Sequence, residues 1–192
     1  IALIEKHGID NLIVLPFTKE LANMPYDAFV RDYIVGIIGA RHIVVGYNHH
    51  FGKDRKGSFE NLSVIAGELG IKAERLPQVV LNDLNVSSSG IRHMLEEGAI
   101  ASANLALGYS YFISGKVSKG NQIGRKLGYP TANVQPEETK KLLPPNGVYA
   151  VDVELNKKRY TGMLSIGIRP TINLEKHERV IEVHIFDFND DI

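Results

Sequence analysis

The hydrophobic pattern of the chain changes near Gly108. Before Gly108, apolar residues form short continuous runs or recur every three to four positions, whereas after it they alternate with polar residues. The first pattern is typical of strands and helices that alternate around a parallel sheet, and the second of short strands in a small barrel or sandwich. The sequence therefore predicts an α/β domain over residues 1–107 and a β domain over residues 108–192.

The predicted elements of the α/β domain have recognisable ends. Gly8, Gly70 and Gly108 each follow a helical pattern and are typical helix stops, whereas Pro25 is typical of a helix start. Helices are predicted over residues 1–7, 58–69, 91–97 and 100–107, and buried strands over residues 11–17, 43–46 and 72–76. A further helix is predicted where Val30, Ile34, Ile37 and Ile38 recur at helical spacing.

The β domain contains four clearly alternating segments. Strands are predicted over residues 111–117, 147–155, 159–165 and 180–188, with a turn at residues 156–158. In the last segment, VIEVHIFDF, the side chains of Glu182, His184 and Phe186 share one face, and the intervening aliphatic residues share the other.

Composition restricts the classes of function. The 192 residues include 22 basic and 22 acidic side chains, so the chain lacks the basic excess of a dedicated nucleic-acid binder. The absence of cysteine excludes disulfides, thiolate metal sites and cysteine nucleophiles. No apolar run reaches the length of a membrane span, and Glu5 and Lys6 interrupt the opening apolar residues, so no signal peptide is visible. We expect a cytoplasmic protein, monomeric or weakly self-associating, that binds neither nucleic acid nor membrane.

The segment GYNHHFGKDRKG follows the strand predicted at residues 43–46. Ligands of an open parallel sheet bind at the carboxyl ends of its strands, so the four residues 48–51 are candidates to line a pocket: Asn48, His49, His50 and Phe51, the last through aromatic stacking. The adjacent His49 and His50 are poor candidates for a shared metal, because neighbouring side chains in an extended segment point in opposite directions. A solvated loop is the alternative interpretation.

The segment NVSSSGIR introduces the next predicted helix. Ser87, Ser88 and Ser89 supply hydroxyls at a helix N-terminus, where N–H groups carry partial positive charge, and Arg92 adds a guanidinium. These groups together suit a triphosphate. The alternative is an ordinary serine N-cap followed by a surface arginine.

The segment GKVSKGNQIGRKLG, which begins at Gly115, is a glycine-rich loop that can wrap a phosphate with backbone N–H groups. Lys119, Arg125 and Lys126 add positive charge to it. It is not a Walker loop, because the Gly-Lys-Ser/Thr ending is absent.

Pro130 fixes the backbone after this loop. Thr131 and Asn133 follow with a spacing of two, which puts both side chains on the same side of a strand. A hydroxyl and an amide oxygen are ligands that suit Mg²⁺ with several retained waters. The alternative is a glycine-rich hairpin followed by a proline turn.

Glu182 is an acid in the middle of an apolar strand. If its face lines a cavity, Glu182 can act as a base toward a hydroxyl, and the alternative is a solvent-exposed face. His184 is expected to be a structural residue with its hydrogen bonds satisfied. The run Arg169-Pro170-Thr171 predicts a shaped loop that positions a ligand, or a simple turn.

Taken in order, these segments resemble the bifunctional bacterial riboflavin kinase/FAD synthetase family. The resemblance covers essentially the whole chain, and its best-matched pieces are VVGYNHHFGKDRKG, VSSSGIR, SGKVSKGNQIGRKLGYPTAN, PPNGVYAV, SIGIRPT and IEVHIFDF. It implies an α/β nucleotidyltransferase domain with a Rossmann-like parallel sheet, followed by a small antiparallel six-stranded β-barrel riboflavin kinase domain. The implied substrates are riboflavin, FMN and ATP, with Mg²⁺ as the cofactor.

The resemblance also implies roles for individual residues. In the kinase domain it implies that Glu182 is the catalytic base and that Thr131 and Asn133 bind magnesium and phosphate. The implied nucleotide loop contains Gly115, Lys119, Gly120, Gly124 and Arg125. In the adenylyltransferase domain the implied flavin and nucleotide contacts are Asn48, Phe51, Ser87, Ser88, Ser89 and Arg92, where Ser89 replaces the family's usual threonine and keeps a hydroxyl.

One part of the family's pattern does not occur in this sequence. The first nucleotidyltransferase motif, with two histidines around a glycine, is expected before Ile1, and a closing helix is expected after Ile192. We therefore expect an N-terminally incomplete adenylyltransferase domain and a C-terminally incomplete kinase domain. Two alternatives remain: a flavin- or nucleotide-binding carrier or regulator, and a riboflavin kinase with a vestigial adenylyltransferase domain.

Overall fold

The computed structural model describes residues 2–81, 84–118, 124, 128–169, 178–190 and 192. The chain forms two compact units, Ile1–Val79 and Val80–Ile192. The change of hydrophobic period near Gly108 lies inside the second unit, which therefore contains two helices as well as the strands predicted there.

The first unit is a small α/β arrangement. Its helices are α1 (Ala2–Lys6), α2 (Lys19–Ala22), α3 (Tyr26–Ala28), which continues as a π-helix over Phe29–Ile37, and α4 (Phe59–Leu69), with a 3₁₀ turn at Lys53–Arg55. Strands β1 (His42–Val45) and β2 (Lys72–Arg75) pair in parallel. A parallel pair needs a crossover connection, and α4 supplies it. The predicted strand–helix–strand pattern with parallel strands is therefore present in β1, α4 and β2.

The core of this unit lies beneath α4. Val30 of the π-helix and Leu62 and Ile65 of α4 are at most 4% exposed. The N-cap Ser58 accepts a hydrogen bond from a first-turn N–H of α4, and Gly70 ends the helix with a left-handed φ of 66°. Both ends agree with the helix predicted over residues 58–69, because the cap and the stop are local properties of these residue types.

The strand predicted over residues 11–17 is wrong. This apolar run forms neither helix nor strand, and its side chains are exposed, Val14 to 72% and Phe17 to 82%. A short apolar run becomes a buried strand only when a neighbouring strand pairs with its backbone. Among the described residues, β1 and β2 pair only with each other.

The helix predicted around Val30, Ile34, Ile37 and Ile38 is present, but its π geometry changes the buried face. Hydrogen bonds reach the fifth preceding residue, as from the Ile38 N–H to the Tyr33 carbonyl at 3.0 Å. Val30 is 1% exposed, whereas Ile37 is 73% and Ile38 44% exposed. The assumed period of 3.6 residues therefore predicted too wide a buried stripe.

The second unit contains a hairpin, a helix pair and an antiparallel sheet. The hairpin joins β3 (Val80–Leu81) to β4 (Leu84–Asn85), and the helices are α5 (Ser88–Glu96) and α6 (Ile100–Leu107). The sheet strands are β5 (Gly115–Ser118), β6 (Ala132–Pro136), β7 (Gly147–Leu155), β8 (Lys158–Arg169) and β9 (Glu178–Ile185), in the order β5-β6-β9-β8-β7. All neighbouring pairs are antiparallel, as the alternating pattern predicts.

The strands predicted in this unit are found, but several of their ends differ. β5 starts at Gly115 rather than at residue 111, and β9 ends at Ile185 rather than at residue 188. Asn156 and Lys157 form the predicted turn with left-handed φ values of 50° and 64°, which suit a two-residue hairpin between β7 and β8. The described residues contribute five strands to this sheet, and these five do not form a closed barrel.

The sheet has one apolar and one more polar face. Its most buried aliphatic side chains, each at most 7% exposed, are Ile166, Ile181, Val183 and Ile185. Ile166 lies directly opposite Ile181, so β8 and β9 form a continuous buried stripe. Glu182 and His184 are half-buried on the other face, as the alternation of residues 180–188 predicts.

Candidate active site

A row of polar residues crosses four strands of the sheet. Asn133 of β6 lies directly opposite Glu182 of β9. Ser118 of β5 lies opposite Asn133, and Ser165 of β8 lies opposite Glu182. Directly opposed residues share a face, with Cβ atoms about 5 Å apart. The side chains predicted as a magnesium ligand and as a base therefore lie side by side, with a serine beyond each.

Thr131 lies at the entry to β6, next to the end of the glycine-rich loop. Its Oγ1 is 3.4 Å from the position that a Cβ on Gly124 would take. The same Cβ would lie 2.3 Å from the carbonyl oxygen of Tyr129, so only glycine fits at position 124. The Tyr129 N–H donates to the Gly124 carbonyl at 2.8 Å. Gly124 therefore lies near the Thr131 hydroxyl, with no room for a side chain of its own.

The side chains of this site suit a hard divalent cation. Thr131 offers a hydroxyl and Asn133 an amide oxygen, and Mg²⁺ prefers oxygen ligands of these kinds. Within the described ranges, no three His, Cys, Asp or Glu side chains cluster in a way that could hold a metal ion. The donor set therefore fits Mg²⁺ that keeps waters or takes substrate phosphates as further ligands, rather than an all-protein cage.

His184 connects β9 to the residues that precede β6. Its Nδ1 lies 2.8 Å from the carbonyl oxygen of Pro130. Its ring makes edge contacts with the rings of Tyr129 and Phe186, at centroid distances of 5.7 and 5.6 Å. These contacts agree with the structural role expected for His184.

Part of the glycine-rich loop lies outside the described residues. Its predicted phosphate contacts Lys119, Gly120 and Arg125, together with Lys126, are there, and so are Pro170 and Thr171 of the second predicted loop. Gly115 is described at the start of β5. A Cβ on Gly115 would lie 2.5 Å from the Gln135 carbonyl oxygen, so close strand packing explains the glycine at this position.

The serine-rich segment begins α5. Ser87 is the N-cap, and its Oγ accepts a hydrogen bond from the Gly90 N–H at 3.1 Å. The Ser89 Oγ accepts one from Arg92 Nη2 at 3.2 Å, while Ser88, Ser89 and Arg92 are all exposed. A serine cap followed by a surface arginine accounts for these contacts. A phosphate site remains compatible with them, because one cap satisfies only one of the unpaired N–H groups of a helix start.

A cavity of about 110 Å³ lies beside the start of α5. Its walls come from the β3–β4 hairpin, α5 and α6, and they include Ser87, Gly90, Ile91, Met94 and Leu105. Pockets that bury drug-sized ligands hold about 300–1,000 Å³. This cavity is therefore too small to enclose a nucleotide.

Asn48 and Phe51 lie in the loop after β1, as expected. Phe51 exchanges backbone hydrogen bonds with Gly57 in both directions, and its ring packs against the core of the first unit. Its ring stacks on His49 at a centroid distance of 5.9 Å. Asn48 is exposed, and its backbone carbonyl lies 3.0 Å from Nδ1 of His50. The two histidines thus have separate contacts.

Comparisons with known proteins show two family matches and several similar enzymes. A riboflavin kinase family model matches residues 107–192, and an FAD synthetase family model matches residues 1–90. Bifunctional riboflavin kinase/FMN adenylyltransferases from Bacillus subtilis, Buchnera aphidicola and Pseudomonas fluorescens are 37%, 34% and 35% identical to the chain. These alignments cover 96–98% of the chain. Over nearly its whole length the chain is therefore similar to bifunctional riboflavin kinase/FMN adenylyltransferases.

The chain spans 58–61% of the length of these three family members. A crystal structure from Streptococcus pneumoniae, described as a macrolide-efflux protein, matches with a TM-score of 0.88 at 33% identity, over 98% of this chain and 60% of that one. Its description disagrees with the family models. The two family models match both parts of the sequence that carry the flavin-enzyme motifs. No helix in the described part of the chain is long and apolar enough to cross a membrane.

The sequence did not indicate every residue that shapes the kinase-like site. Ser118 and Ser165 join the polar row only through strand register, for which no local signal exists. Arg179 of β9 donates to the Asn146 side chain at 3.1 Å and to the Pro144 carbonyl. It thereby anchors the segment PPNGVYAV. The sequence analysis matched this segment to the family but assigned it no role.

Proposed function

We propose that the protein phosphorylates riboflavin to FMN with MgATP, and that the full-length protein also adenylylates FMN to FAD. The observation that supports the kinase activity best is the pairing of Asn133 with Glu182 across β6 and β9, with Thr131 at the entry to β6. The two family matches and the similarity to bifunctional enzymes support both activities and favour an enzyme over a flavin-binding carrier or regulator.

The domain arrangement is part of this proposal. An adenylyltransferase domain with a Rossmann-like sheet ends near residue 107, and a riboflavin kinase domain follows. The family matches at residues 1–90 and 107–192 support this division. The five-stranded antiparallel sheet supports a six-stranded kinase barrel to which these strands belong.

In the kinase reaction, Glu182 takes the proton of the ribityl 5′-hydroxyl as that oxygen attacks the γ-phosphorus of ATP. The new O–P bond forms while the bond between the γ-phosphorus and the β–γ bridging oxygen breaks, and ADP leaves. Positioning and electrostatic stabilisation supply most of the rate in such transfers. Glu182 suits the role because its strand is paired on both sides and holds the carboxylate in a fixed place.

Thr131 and Asn133 would hold Mg²⁺, which neutralises charge on the transferred phosphate when bound. The loop residues Gly115, Lys119, Gly120, Gly124 and Arg125 bind the triphosphate. Gly124 supports this role through packing, because the Tyr129 carbonyl fills the space of a side chain there and keeps the loop beside Thr131.

For FAD synthesis, Asn48 and Phe51 contact the flavin, and the triphosphate contacts are Ser87, Ser88, Ser89 and Arg92. An FMN phosphate oxygen attacks the α-phosphorus of ATP, and pyrophosphate leaves. The exposed hydroxyls and guanidinium at the start of α5 support this assignment.

A product assay tests both activities. The full-length protein is incubated with riboflavin, ATP and Mg²⁺, and riboflavin, FMN and FAD are separated by chromatography. We expect FMN and FAD. FMN without FAD would indicate a kinase with a vestigial adenylyltransferase domain. Riboflavin binding without either product would contradict the proposal and favour a carrier or regulator.

A further inference from the structure

We propose that His184 is a positioning residue of the kinase site, which holds the Pro130 carbonyl and thereby fixes Thr131 beside the Asn133–Glu182 pair. This inference rests on the proposed kinase function. His184 has no part in the proton transfer or the phosphate contacts described above. Its effect passes through the backbone that carries Thr131.

The backbone pairing of β6 with β9 ends just before Thr131. Its last backbone pair joins Ala132 to Val183, so Thr131 lies beyond the paired region. His184 follows Val183 directly, and its side chain reaches the Pro130 carbonyl at 2.8 Å. This hydrogen bond joins β9 to the residues before β6 at the point where the backbone pairing of the two strands has ended.

The contact specifies which ring nitrogen carries a proton. A carbonyl oxygen only accepts hydrogen bonds, so Nδ1 of His184 must be the donor. The edge contacts with Tyr129 and Phe186 hold the imidazole in the orientation that points Nδ1 at Pro130. The structure therefore requires a proton on Nδ1 of His184.

The same contacts continue into the glycine-rich loop. The Tyr129 ring packs on His184, and the Tyr129 N–H donates to the Gly124 carbonyl at 2.8 Å. Glu182, by contrast, is held by β8 on one side and β6 on the other. Loss of the His184 hydrogen bond should therefore displace Thr131 and the glycine-rich loop, while the pairing of β6 with β9 keeps Asn133 and Glu182 in place.

Two substitutions separate the hydrogen bond from simple packing. His184→Asn keeps an N–H donor near the position of Nδ1, whereas His184→Leu removes it. In the full-length protein we expect His184→Leu to raise the KM for MgATP and the Mg²⁺ concentration for half-maximal rate by about tenfold, the scale of one lost hydrogen bond of about 1.4 kcal/mol. Riboflavin affinity should stay within about twofold, and His184→Asn should recover most of the MgATP effect.

The matched control is His42→Leu, a half-exposed histidine on β1 whose Nε2 lies 3.3 Å from Glu74. It should leave all these kinase constants unchanged. Equal losses in His184→Asn and His184→Leu would show that only ring packing matters and would overturn the proposal. Normal MgATP constants in His184→Leu would overturn it as well.

Two measurements do not depend on turnover. Calorimetric titration with MgATP alone should show the same order of affinities, unsubstituted protein and His184→Asn above His184→Leu. Nitrogen-15 NMR of the imidazole should show a proton on Nδ1, and an unprotonated Nδ1 would overturn the proposal. If the unsubstituted protein forms no FMN, the kinase function fails, while these two measurements still decide whether His184 holds the loop.

Discussion

The polar row on the sheet and the serine-rich start of α5 are both candidate phosphate sites, but they are held together in different ways. On the sheet, strand register brings Ser118, Asn133, Ser165 and Glu182 into one line from four separate segments. At α5, the candidate residues lie within residues 87–92, and local contacts hold them. A helix cap of this kind occurs in many proteins without a ligand, whereas convergence of distant polar residues requires a particular fold. The polar row on the sheet is therefore the stronger candidate for a phosphate site.

The largest effect is expected from removing the base of the sheet site. Glu182→Gln should lower kcat for FMN formation by about 10²–10⁴-fold, because the amide cannot accept the hydroxyl proton, while riboflavin binding changes little. Steady-state kinetics and a riboflavin titration measure the two quantities. Glu154→Gln on β7 is the matched control, and normal turnover in Glu182→Gln would remove the base assignment.

The loop beside Thr131 should be the next most sensitive position. Gly124→Ala places a Cβ 2.3 Å from the Tyr129 carbonyl oxygen, so the backbone must move. We expect kcat/KM for MgATP to fall by about a hundredfold, the effect of a displacement of about 1 Å near the chemistry. In Gly67→Ala the new Cβ meets no atom within 4 Å, and this control should keep full activity. Unchanged kinetics in Gly124→Ala would contradict a close nucleotide approach here.

Asn133→Ala tests whether the site on the sheet binds Mg²⁺. Loss of one oxygen ligand should raise the Mg²⁺ concentration for half-maximal kinase rate by about tenfold. The control is Gln135→Ala, an exposed residue of the same strand. A Mg²⁺ titration identical to that of the unsubstituted protein would count against the ligand role of Asn133.

At α5 the same kind of substitution separates folding from binding. Ser87→Ala should lower the free energy of unfolding by about 1 kcal/mol, because it removes the N-cap hydrogen bond to Gly90. Arg92→Ala should leave stability unchanged within about 0.5 kcal/mol and reduce FAD formation by the full-length protein. Urea unfolding and the product assay measure the two effects. FAD formation that survives Arg92→Ala would favour the purely structural interpretation of this segment.

The smallest effect concerns alkaline stability of the second unit. Burial, reinforced by Tyr109 and Glu138, raises the pKa of Tyr111, whose hydroxyl donates to the Leu142 carbonyl at 2.8 Å. The folded protein therefore favours the protonated phenol. This contribution is present in full below about pH 10, the ordinary tyrosine pKa, and is lost as pH rises through the folded pKa. In Tyr111→Phe, urea unfolding at pH 8 and at about pH 10.5 should differ less than in the unsubstituted protein. An equal difference in both proteins would contradict the assignment.

Local chemistry explains which parts of the fold were predictable. The helix over α4 follows from Ser58 and Gly70, and the turn at Asn156 and Lys157 from residues that adopt left-handed φ, without reference to the rest of the chain. The prediction of a strand over residues 11–17 was wrong, because strand formation depends on a pairing partner. The helix over Phe29–Ile37 was predicted, but its π geometry was not, because the period assumed for every helix was 3.6 residues.

The glycine-rich segment, the Thr131–Asn133 spacing and the two faces of β9 were predictable from the sequence, because side-chain type and a period of two are local properties. The motifs that resemble the flavin enzymes were readable for the same reason. Three relations became visible only in the folded chain: Asn133 faces Glu182, a serine lies beyond each of them, and His184 reaches Pro130. Strand register sets these relations, since a shift of one residue would turn the polar row to the opposite face of the sheet.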